Sequence, residues 1–243
     1  MAASCSTPIA GSYGRHCPAT DLGGLLPGRL KQLDRASLQG SRLGWRYGSN
    51  EWLFREYSVE ITPGEVVGLM GPSGTGKSTL GKLLAGYMVP TEGKVLLGDR
   101  NLPGSGYSPV QLIHQHPELA VNPRWTIGKM LAEGWQPDTS ILKAFGIQEA
   151  WLERYPNELS GGQLQRCCMV RALGSQTKFI VADEMSAMLD AVTQAEIWHA
   201  LLAIANERSI GILAISHDAA LLDVVADRLI GLTSSAFVIP CIE

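Results

Sequence analysis

Apolar positions along this chain alternate between short continuous runs and stretches with helical spacing. Short apolar runs bounded by glycine or by charged residues are typical of buried strands. The chain has five of them: GEVVGLMG (64–71), KFIVADE (178–184), GILAISHD (211–218), RLIGL (228–232) and AFVIP (236–240). After the first run, Leu80, Leu83 and Leu84 lie at the spacing of one helix face. PTEGKVLLGD (90–99) predicts a turn and a hairpin strand. Strands that alternate with helices predict a largely parallel sheet covered by helices.

Two segments differ from this alternation. Residues 1–33 are rich in Gly, Ser, Pro and Ala without a period, so we expect a flexible N-terminal extension outside the chemistry. From about 117 to 165 the pattern is helical and lacks a strong strand. The sequence therefore predicts one α/β domain over residues 34–243, with a helical subdomain inserted in it.

Composition narrows the class of protein. With 243 residues, 45% of them hydrophobic and 18% charged, the chain can bury a sizeable core. A net charge of −3 and a pI near 6.0 give no reason to expect nucleic acid as the main partner. The 5 cysteines show neither a CxxC pair nor zinc-ligand spacing. With no apolar run of 18 residues and no secretory h-region, we expect a cytoplasmic chain with reduced thiols.

The stretch GPSGTGKST matches the phosphate-loop pattern of a glycine, four residues and Gly-Lys-Ser. Its glycines let backbone N–H groups turn toward phosphate oxygens, and the helix that follows adds a positive dipole end. Lys77 suits the β- and γ-phosphates, and the Ser78 hydroxyl suits Mg²⁺. The residues predicted to bind ATP here are Gly71, Pro72, Ser73, Gly74, Thr75, Gly76, Lys77, Ser78 and Thr79.

FIVADE supplies carboxylates at the end of an apolar strand. Asp183 is the candidate Mg²⁺ ligand, and Glu184 is the candidate group that orients or deprotonates an attacking water. Two acids after a strand are by themselves a weak signal, since a solvated strand end looks the same. The phosphate loop about 110 residues earlier is what favours a nucleotide site.

LSGGQ is a second anion-binding device about eighty residues after the phosphate loop. Its serine can cap a helix, and its glycines let a ligand approach the free N–H groups of the first turn. Any N-capped helix shares these features, so the physics alone leaves the purpose open. The residues concerned are Leu159, Ser160, Gly161, Gly162 and Gln163.

Taken together, the phosphate loop, LSGGQ and FIVADE resemble the ATP-binding subunits of ABC transporters over residues 35–232. The resemblance implies a P-loop NTPase core with antiparallel β elements and a helical subdomain, and ATP with Mg²⁺ as cofactors. It implies that two subunits, identical or different, pack head to tail, and that each LSGGQ closes on the ATP of the other. It also implies permease partners at the inner face of the membrane and, indirectly, an extracytoplasmic binding protein.

The same resemblance assigns roles to single residues outside these motifs. Gln115 matches the glutamine that contacts Mg²⁺ and water and meets the permease, and Asp190 matches an aspartate at the dimer interface. His217 matches the histidine that contacts the γ-phosphate. Tyr47 stands where the family places an aromatic on adenine, although Trp45 is a rival for that position. Each of these residues also has a purely structural alternative.

A shorter stretch indicates which branch of the family the chain resembles most. Asn-Pro-Arg at 122–124 is similar to the peptide and nickel importers, which predicts import of a peptide, nickel or a metal chelate. Met185 and Met188 replace a proline and an alanine of the family pattern, and His114 and His116 form a His-x-His pair without a third ligand. The alternatives are an ABC ATPase with a role outside transport and a regulatory subunit that binds ATP without hydrolysing it.

Overall fold

The computed structural model describes residues 36–48 and 51–232. The expected extension at 1–33 and the strand predicted at 236–240 lie outside these residues. The predicted strands at 64–71, 178–184, 211–218 and 228–232 are confirmed, and they belong to one five-stranded parallel sheet. Its strands, in chain order, are β3 (Val66–Met70), β6 (Val110–Ile113), β7 (Phe179–Asp183), β8 (Gly211–Ile215) and β9 (Arg228–Gly231).

The spatial order of this sheet is β6-β7-β8-β3-β9. The central strands β7 and β8 are buried along their whole length, which explains why their sequences are continuously apolar rather than alternating. β7 pairs with β6 and β8 in register, so that Asp183 lies beside Ile215 at the carboxyl end. All five strands therefore end at the same edge.

A second sheet of four strands is antiparallel, in the order β2-β1-β4-β5. The hairpin strand predicted within 90–99 is confirmed as β4, whose short partner follows after a Gly-Asp turn. The two longest strands of this sheet were not predicted, because their polar positions hide the apolar side that packs inward. The strands are β1 (Leu38–Arg46), β2 (Trp52–Ile61), β4 (Glu92–Leu97) and β5 (Arg100–Asn101).

Six α-helices in the described ranges surround the parallel sheet, and three of them lie in the segment between β6 and β7. That segment also contains a 3-10 helix at Pro117–Ala120 and has no strand among its residues, all of which the structure describes. None of the helices in the described ranges has the length and apolar content needed to cross a membrane. The six are α1 (Lys77–Leu84), α2 (Ile127–Leu131), α3 (Thr139–Ala144), α4 (Gly161–Ala172), α5 (Ala191–Arg208) and α6 (Ala219–Val225).

The parallel sheet separates two apolar cores. On one side, Phe179 and Val181 of β7 pack with the antiparallel sheet and the apolar face of α1. On the other side, Ile180 and Ala182 of the same strand pack with α4, α5 and α6. Successive side chains of a strand point to opposite faces, so one short strand contributes to both cores.

The two free cysteines in the described ranges lie next to each other on α4. Burial raises the pKa of Cys167 to about 12 and that of Cys168 to about 11. Both thiols are therefore protonated and unreactive at neutral pH, consistent with the expectation of reduced thiols.

One glycine closes the junction of β1 and β4. Gly93 has a φ of +82°, and a Cβ at this position would collide with the carbonyl oxygens of Ser41 and Arg42, where β1 has a register shift. Gly104 has open space around its Cα and no such φ. We expect Gly93→Ala to lower the free energy of unfolding by about 2–4 kcal/mol, measured by denaturant titration, because backbone carbonyls cannot move aside cheaply.

Gly104→Ala is the matched control for that variant, and we expect it to change the free energy of unfolding by less than about 1 kcal/mol. Equal stability of the two variants would show that the β1–β4 junction does not depend on a glycine.

Candidate nucleotide site

The parallel sheet gathers the candidate site at its carboxyl edge. The phosphate loop follows β3, Glu184 follows β7, and His217 lies two residues after β8. Gln115 lies two residues after β6, at the same edge. Because the strands are parallel and adjacent, segments far apart in sequence end side by side, at the usual position of ligand sites in α/β sheets.

The phosphate loop wraps around its own lysine. Gly74 and Gly76 have φ angles of +81° and +99°, which β-carbons disfavour, and Gly76 is the N-cap of α1. The Thr75 hydroxyl donates to the carbonyl oxygen of Pro72 at 2.9 Å and holds the loop closed. With a glycine cap, no side chain covers the N–H groups at the start of α1, so they face the loop.

Lys77 is buried within this loop. Its Nζ donates to the carbonyl oxygens of Gly71 at 2.7 Å and Pro72 at 3.0 Å. Burial lowers the pKa of Lys77 below its ordinary value, and the nearby carboxylates of Glu184 and Asp183 offset only part of that shift. A buried ammonium at the start of a helix is an electrostatic site for phosphate oxygens.

Ser78 and Asp183 form a pair of oxygen ligands beside Lys77. The Ser78 hydroxyl donates to Asp183 Oδ1 at 2.9 Å, across 105 residues of sequence. Burial raises the pKa of Asp183, and its hydrogen bond with Ser78 counteracts the shift. A hydroxyl and a carboxylate are hard oxygen ligands of the kind that Mg²⁺ takes in nucleotide sites, so these residues fit that ion.

Glu184 is held on both carboxylate oxygens. His217 Nε2 lies 2.6 Å from Oε1, and Gln115 Nε2 donates to Oε2 at 2.8 Å. The backbone N–H of Glu184 also donates to Ile215 O, and its φ of +49° is rare for a residue with a side chain. These contacts fix the direction of the carboxylate, and strained geometry of this kind is typical of functional positions.

Of the two aromatic side chains that are candidates for stacking on adenine, the geometry favours Tyr47. Its ring is 57% exposed, and its hydroxyl lies 3.3 Å from the Thr79 hydroxyl at the end of the phosphate loop. Trp45 packs edge-to-face against Tyr47 at 5.9 Å and is half-buried against the core that the antiparallel sheet shares with α1. An exposed ring beside the phosphate loop is a stacking surface, whereas Trp45 supports that ring from behind.

The LSGGQ segment builds a capped helix start at the surface. The Ser160 hydroxyl accepts from Gln163 N at 3.3 Å, and Gln163 Oε1 accepts from Ser160 N at 3.0 Å, a reciprocal capping box. The N–H groups of Gly161 and Gly162 belong to the first turn, which has no intrahelical acceptors. Within the described residues, no hydrogen bond joins this segment to the phosphate loop of the same chain.

Asp190 has a structural contact that the sequence did not predict. It is the N-cap of α5, and its carboxylate accepts from Thr193 N at 3.0 Å, which lowers the pKa of Asp190. Met188, two residues earlier, is half-exposed and extends toward Gly161 of the LSGGQ segment. The loop after Glu184 and the LSGGQ segment therefore lie on one continuous surface.

Sequence reasoning missed Ser186, which anchors the loop after Glu184. Its buried hydroxyl accepts from Gln194 Nε2 at 2.9 Å and from Trp198 Nε1 at 3.1 Å. Gln194 and Trp198 are four residues apart on α5, so both face the loop. Met185, which replaces the proline of the family pattern, is buried in the core shared by α4, α5 and α6. The only signal in the sequence was the spacing of four residues between Gln194 and Trp198, whose side chains both carry N–H donors.

The His-x-His pair does not assemble a metal centre. His114 packs edge-on against Tyr87 at 5.7 Å, and His116 Nδ1 lies 3.4 Å from Glu118. In the part of the chain that the structure describes, no three His, Cys, Asp or Glu side chains form a group suited to a metal ion.

Fold and site together define a nucleotide-binding α/β protein of the P-loop NTPase class. A family model described as ABC transporter matches residues 54–187, more than half of the chain. The oligopeptide transport ATP-binding protein OppF of Bacillus subtilis is 32% identical over 195 residues, which cover 72% of this chain and 64% of that protein. The dipeptide transport ATP-binding protein DppF of Lactococcus lactis subsp. cremoris is 32% identical over 225 residues, with coverages of 82% and 69%.

The chain therefore belongs to the ABC transporter family. It spans only 64%, 58% and 54% of the lengths of three of the relatives it matches.

Solved structures match the fold. A dimeric structure of MJ0796, a bacterial ABC transporter cassette, superimposes with a TM-score of 0.69 at 24% identity, covering 81% of this chain and 94% of that chain. A bacterial Atm1-family ABC exporter with ATP bound gives 0.70 at 21% identity, with coverages of 83% and 38%. The same ATP-binding cassette fold thus carries the candidate site described above.

The capping box makes a prediction about stability alone. We expect Ser160→Ala to lower the free energy of unfolding by about 1 kcal/mol, because the N-cap acceptor of α4 is lost. Ser160→Thr keeps a capping hydroxyl and is the matched control, with an expected loss of less than about half that value. Denaturant titration measures both, and an unchanged Ser160→Ala midpoint would show that the cap contributes nothing to α4.

Proposed function

We propose that this chain is the ATP-binding and ATP-hydrolysing subunit of an ABC importer. The observation that carries the proposal is the carboxylate of Glu184, held by Gln115 and His217 beside a complete phosphate loop. A carboxylate in this setting is suited to orient and deprotonate the water that attacks a γ-phosphate. A regulatory subunit without hydrolysis would need neither of these two contacts.

The roles of the other site residues follow from their surroundings. Lys77 and the N–H groups of the loop bind the β- and γ-phosphates, and Tyr47 stacks on adenine. Ser78 and Asp183, together with Gln115 on the neighbouring Glu184, would hold Mg²⁺, and the ion would supply charge neutralisation at the phosphates. His217, 49% exposed at the mouth of the site, holds Glu184 and can contact the γ-phosphate.

The second half of the site comes from another subunit. The LSGGQ segment presents a helix N-terminus at the surface and makes no hydrogen bond to its own phosphate loop within the described residues. A helix dipole acts most strongly on a phosphate when water is excluded, which a closed dimer achieves. The dimeric state given for MJ0796 supports the same arrangement here, with Asp190 at the interface.

A groove whose lining residue Tyr87 contacts His114, the neighbour of Gln115, supports a permease as the membrane partner. It has a volume of about 1100 Å³ and lies between the end of α1 and the helical segment, lined by Tyr87, Val89 and Arg171 among others. Val89 is 83% exposed, and Tyr87 touches His114, the neighbour of Gln115. A groove with both apolar and polar lining, joined to the site in this way, suits a helix from a membrane subunit, which would bring the chain to the inner face of the membrane.

The cargo class rests on relatives and on the Asn-Pro-Arg stretch. OppF and DppF are named for oligopeptide and dipeptide transport, so a peptide, nickel or a metal chelate is the proposed cargo. An extracytoplasmic binding protein would deliver it to the permease. The chain itself contributes the ATP-driven closure and opening.

The decisive test is a Glu184→Gln variant of the full chain. We expect ATP binding to persist, turnover to fall by about a hundredfold or more because the base is lost, and an ATP-dependent dimer to accumulate on size exclusion. Lys77→Ala in the same background is the control, since it removes the phosphate contact and should leave a monomer. Normal hydrolysis by Glu184→Gln would remove Glu184 as the base and, with it, the proposed function.

A second variant separates the two halves of the site. We expect Ser160→Arg to bind ATP with an unchanged dissociation constant but to hydrolyse none, because an arginine blocks closure on the partner's nucleotide. An equimolar mixture with Lys77→Ala should regain turnover, since one phosphate loop and one LSGGQ of the mixed dimer are intact. Loss of ATP binding by the isolated Ser160→Arg chain would contradict the role in the opposite subunit.

A further inference from the structure

Helix α4, which begins at the LSGGQ segment, lies alongside residues 114–120 with a constant offset in sequence. Three of its side chains each approach a backbone carbonyl oxygen 51 residues earlier. The contacts are Gln165 Nε2 to His114 O at 2.9 Å, Cys168 Sγ to Pro117 O at 3.9 Å, and Arg171 Nη1 to Ala120 O at 2.7 Å. We call this set of three contacts the carbonyl clamp.

The clamp works because both partners repeat every three residues. Side chains three apart lie on one face of an α-helix. Pro117–Ala120 is a 3-10 helix, whose positions three apart eclipse and align their carbonyls along its axis. This shared step accounts for the contacts of Cys168 with Pro117 and of Arg171 with Ala120, whereas His114, the partner of Gln165, lies three residues before the 3-10 helix.

Gln165 is the most informative member of the clamp. It is only 1% exposed, so its amide is removed from water. Its nitrogen donates to His114 O, whereas its Oε1 is buried without a hydrogen-bond partner in the described part of the chain. A buried acceptor without a partner is costly, and an apolar side chain of the same size would avoid that cost. The single hydrogen bond to His114 is therefore what a glutamine contributes at this position.

The hydrogen bond between Gln165 and the His114 carbonyl is one residue away from the contact with Glu184. The carbonyl that Gln165 holds belongs to the peptide between His114 and Gln115, and the Gln115 side chain donates to Glu184 Oε2 at 2.8 Å. At the other end of the clamp, Arg171 lines the groove assigned to the permease. α4 thus contacts both ends of the segment that joins the groove to Glu184.

We propose that Gln165 is a positioning residue for hydrolysis, which through the His114 carbonyl sets Gln115 against Glu184 and makes residues 114–120 follow the movement of the LSGGQ helix. The proposal rests on the proposed ATPase function for its kinetic consequence. The clamp itself is a property of the chain that does not depend on turnover.

The first test measures the clamp without using activity. Gln165→Met keeps the length of the side chain and removes the donor. By hydrogen–deuterium exchange, we expect amides within 114–120 to exchange about tenfold faster, while those of α1 stay unchanged. Cys167→Ala, another buried α4 position outside the clamp, is the control and should not produce this local change.

The second test is a double-mutant cycle on ATP turnover at saturating nucleotide. We expect Gln165→Met to lower kcat roughly fivefold, since one positioning hydrogen bond is lost, with the dissociation constant for ATP unchanged. In a Gln115→Ala background the same substitution should change kcat by less than about twofold, because the group it positions is already absent.

Three results would overturn the proposal: unchanged exchange at 114–120, faster exchange throughout the chain, or an equal fall of kcat in both backgrounds. The last two would make Gln165 a core residue without a positioning role. If the unsubstituted chain does not hydrolyse ATP, the proposed function fails, and the exchange experiment alone decides about the clamp.

Discussion

The candidate site depends above all on the parallel pairing of one buried strand, β7, between β6 and β8. Their hydrogen-bonded register fixes the relative positions of the three segments that follow them. Glu184 emerges from the centre, Gln115 from one side and His217 from the other, so that both oxygens of one carboxylate are occupied. A shift of one residue in either ladder would turn a side chain to the opposite face and separate this group.

The same sheet separates the two apolar cores, and each core supports a different part of the candidate site. Phosphate loop, α1 and antiparallel sheet share one core, whereas α4 and the helical segment share the other. The phosphate loop is therefore supported by one core, and the helix that begins at LSGGQ is supported by the other. The two cores meet at β7, and Gln115 connects residues 114–120, which α4 contacts, to Glu184 after that strand.

Local motifs were predictable because their chemistry is encoded within a few residues. The glycines and lysine of 71–79 specify a phosphate loop wherever a strand precedes them, and Ser160 specifies a helix start. Strands β1 and β2 were not predictable in the same way, because their stability comes from pairing across the sheet rather than from their own apolar pattern. Asp190 shows that a motif can predict one role of a residue and miss another. Its motif predicted a contact at the dimer interface, and the structure shows that it caps a helix. Its interface role stays a prediction.

The sequence by itself determined the class of protein, the strand–loop–helix unit that carries Lys77 and Ser78, and the acidic pair Asp183 and Glu184. These depend on interactions among near neighbours, which composition and spacing describe. Only the tertiary structure decided which groups meet across long separations: Ser78 with Asp183, Gln115 and His217 with Glu184, and α4 with residues 114–120. Such contacts follow from strand order and helix packing, which arise from burial of the whole chain and leave no pattern in any short stretch of it.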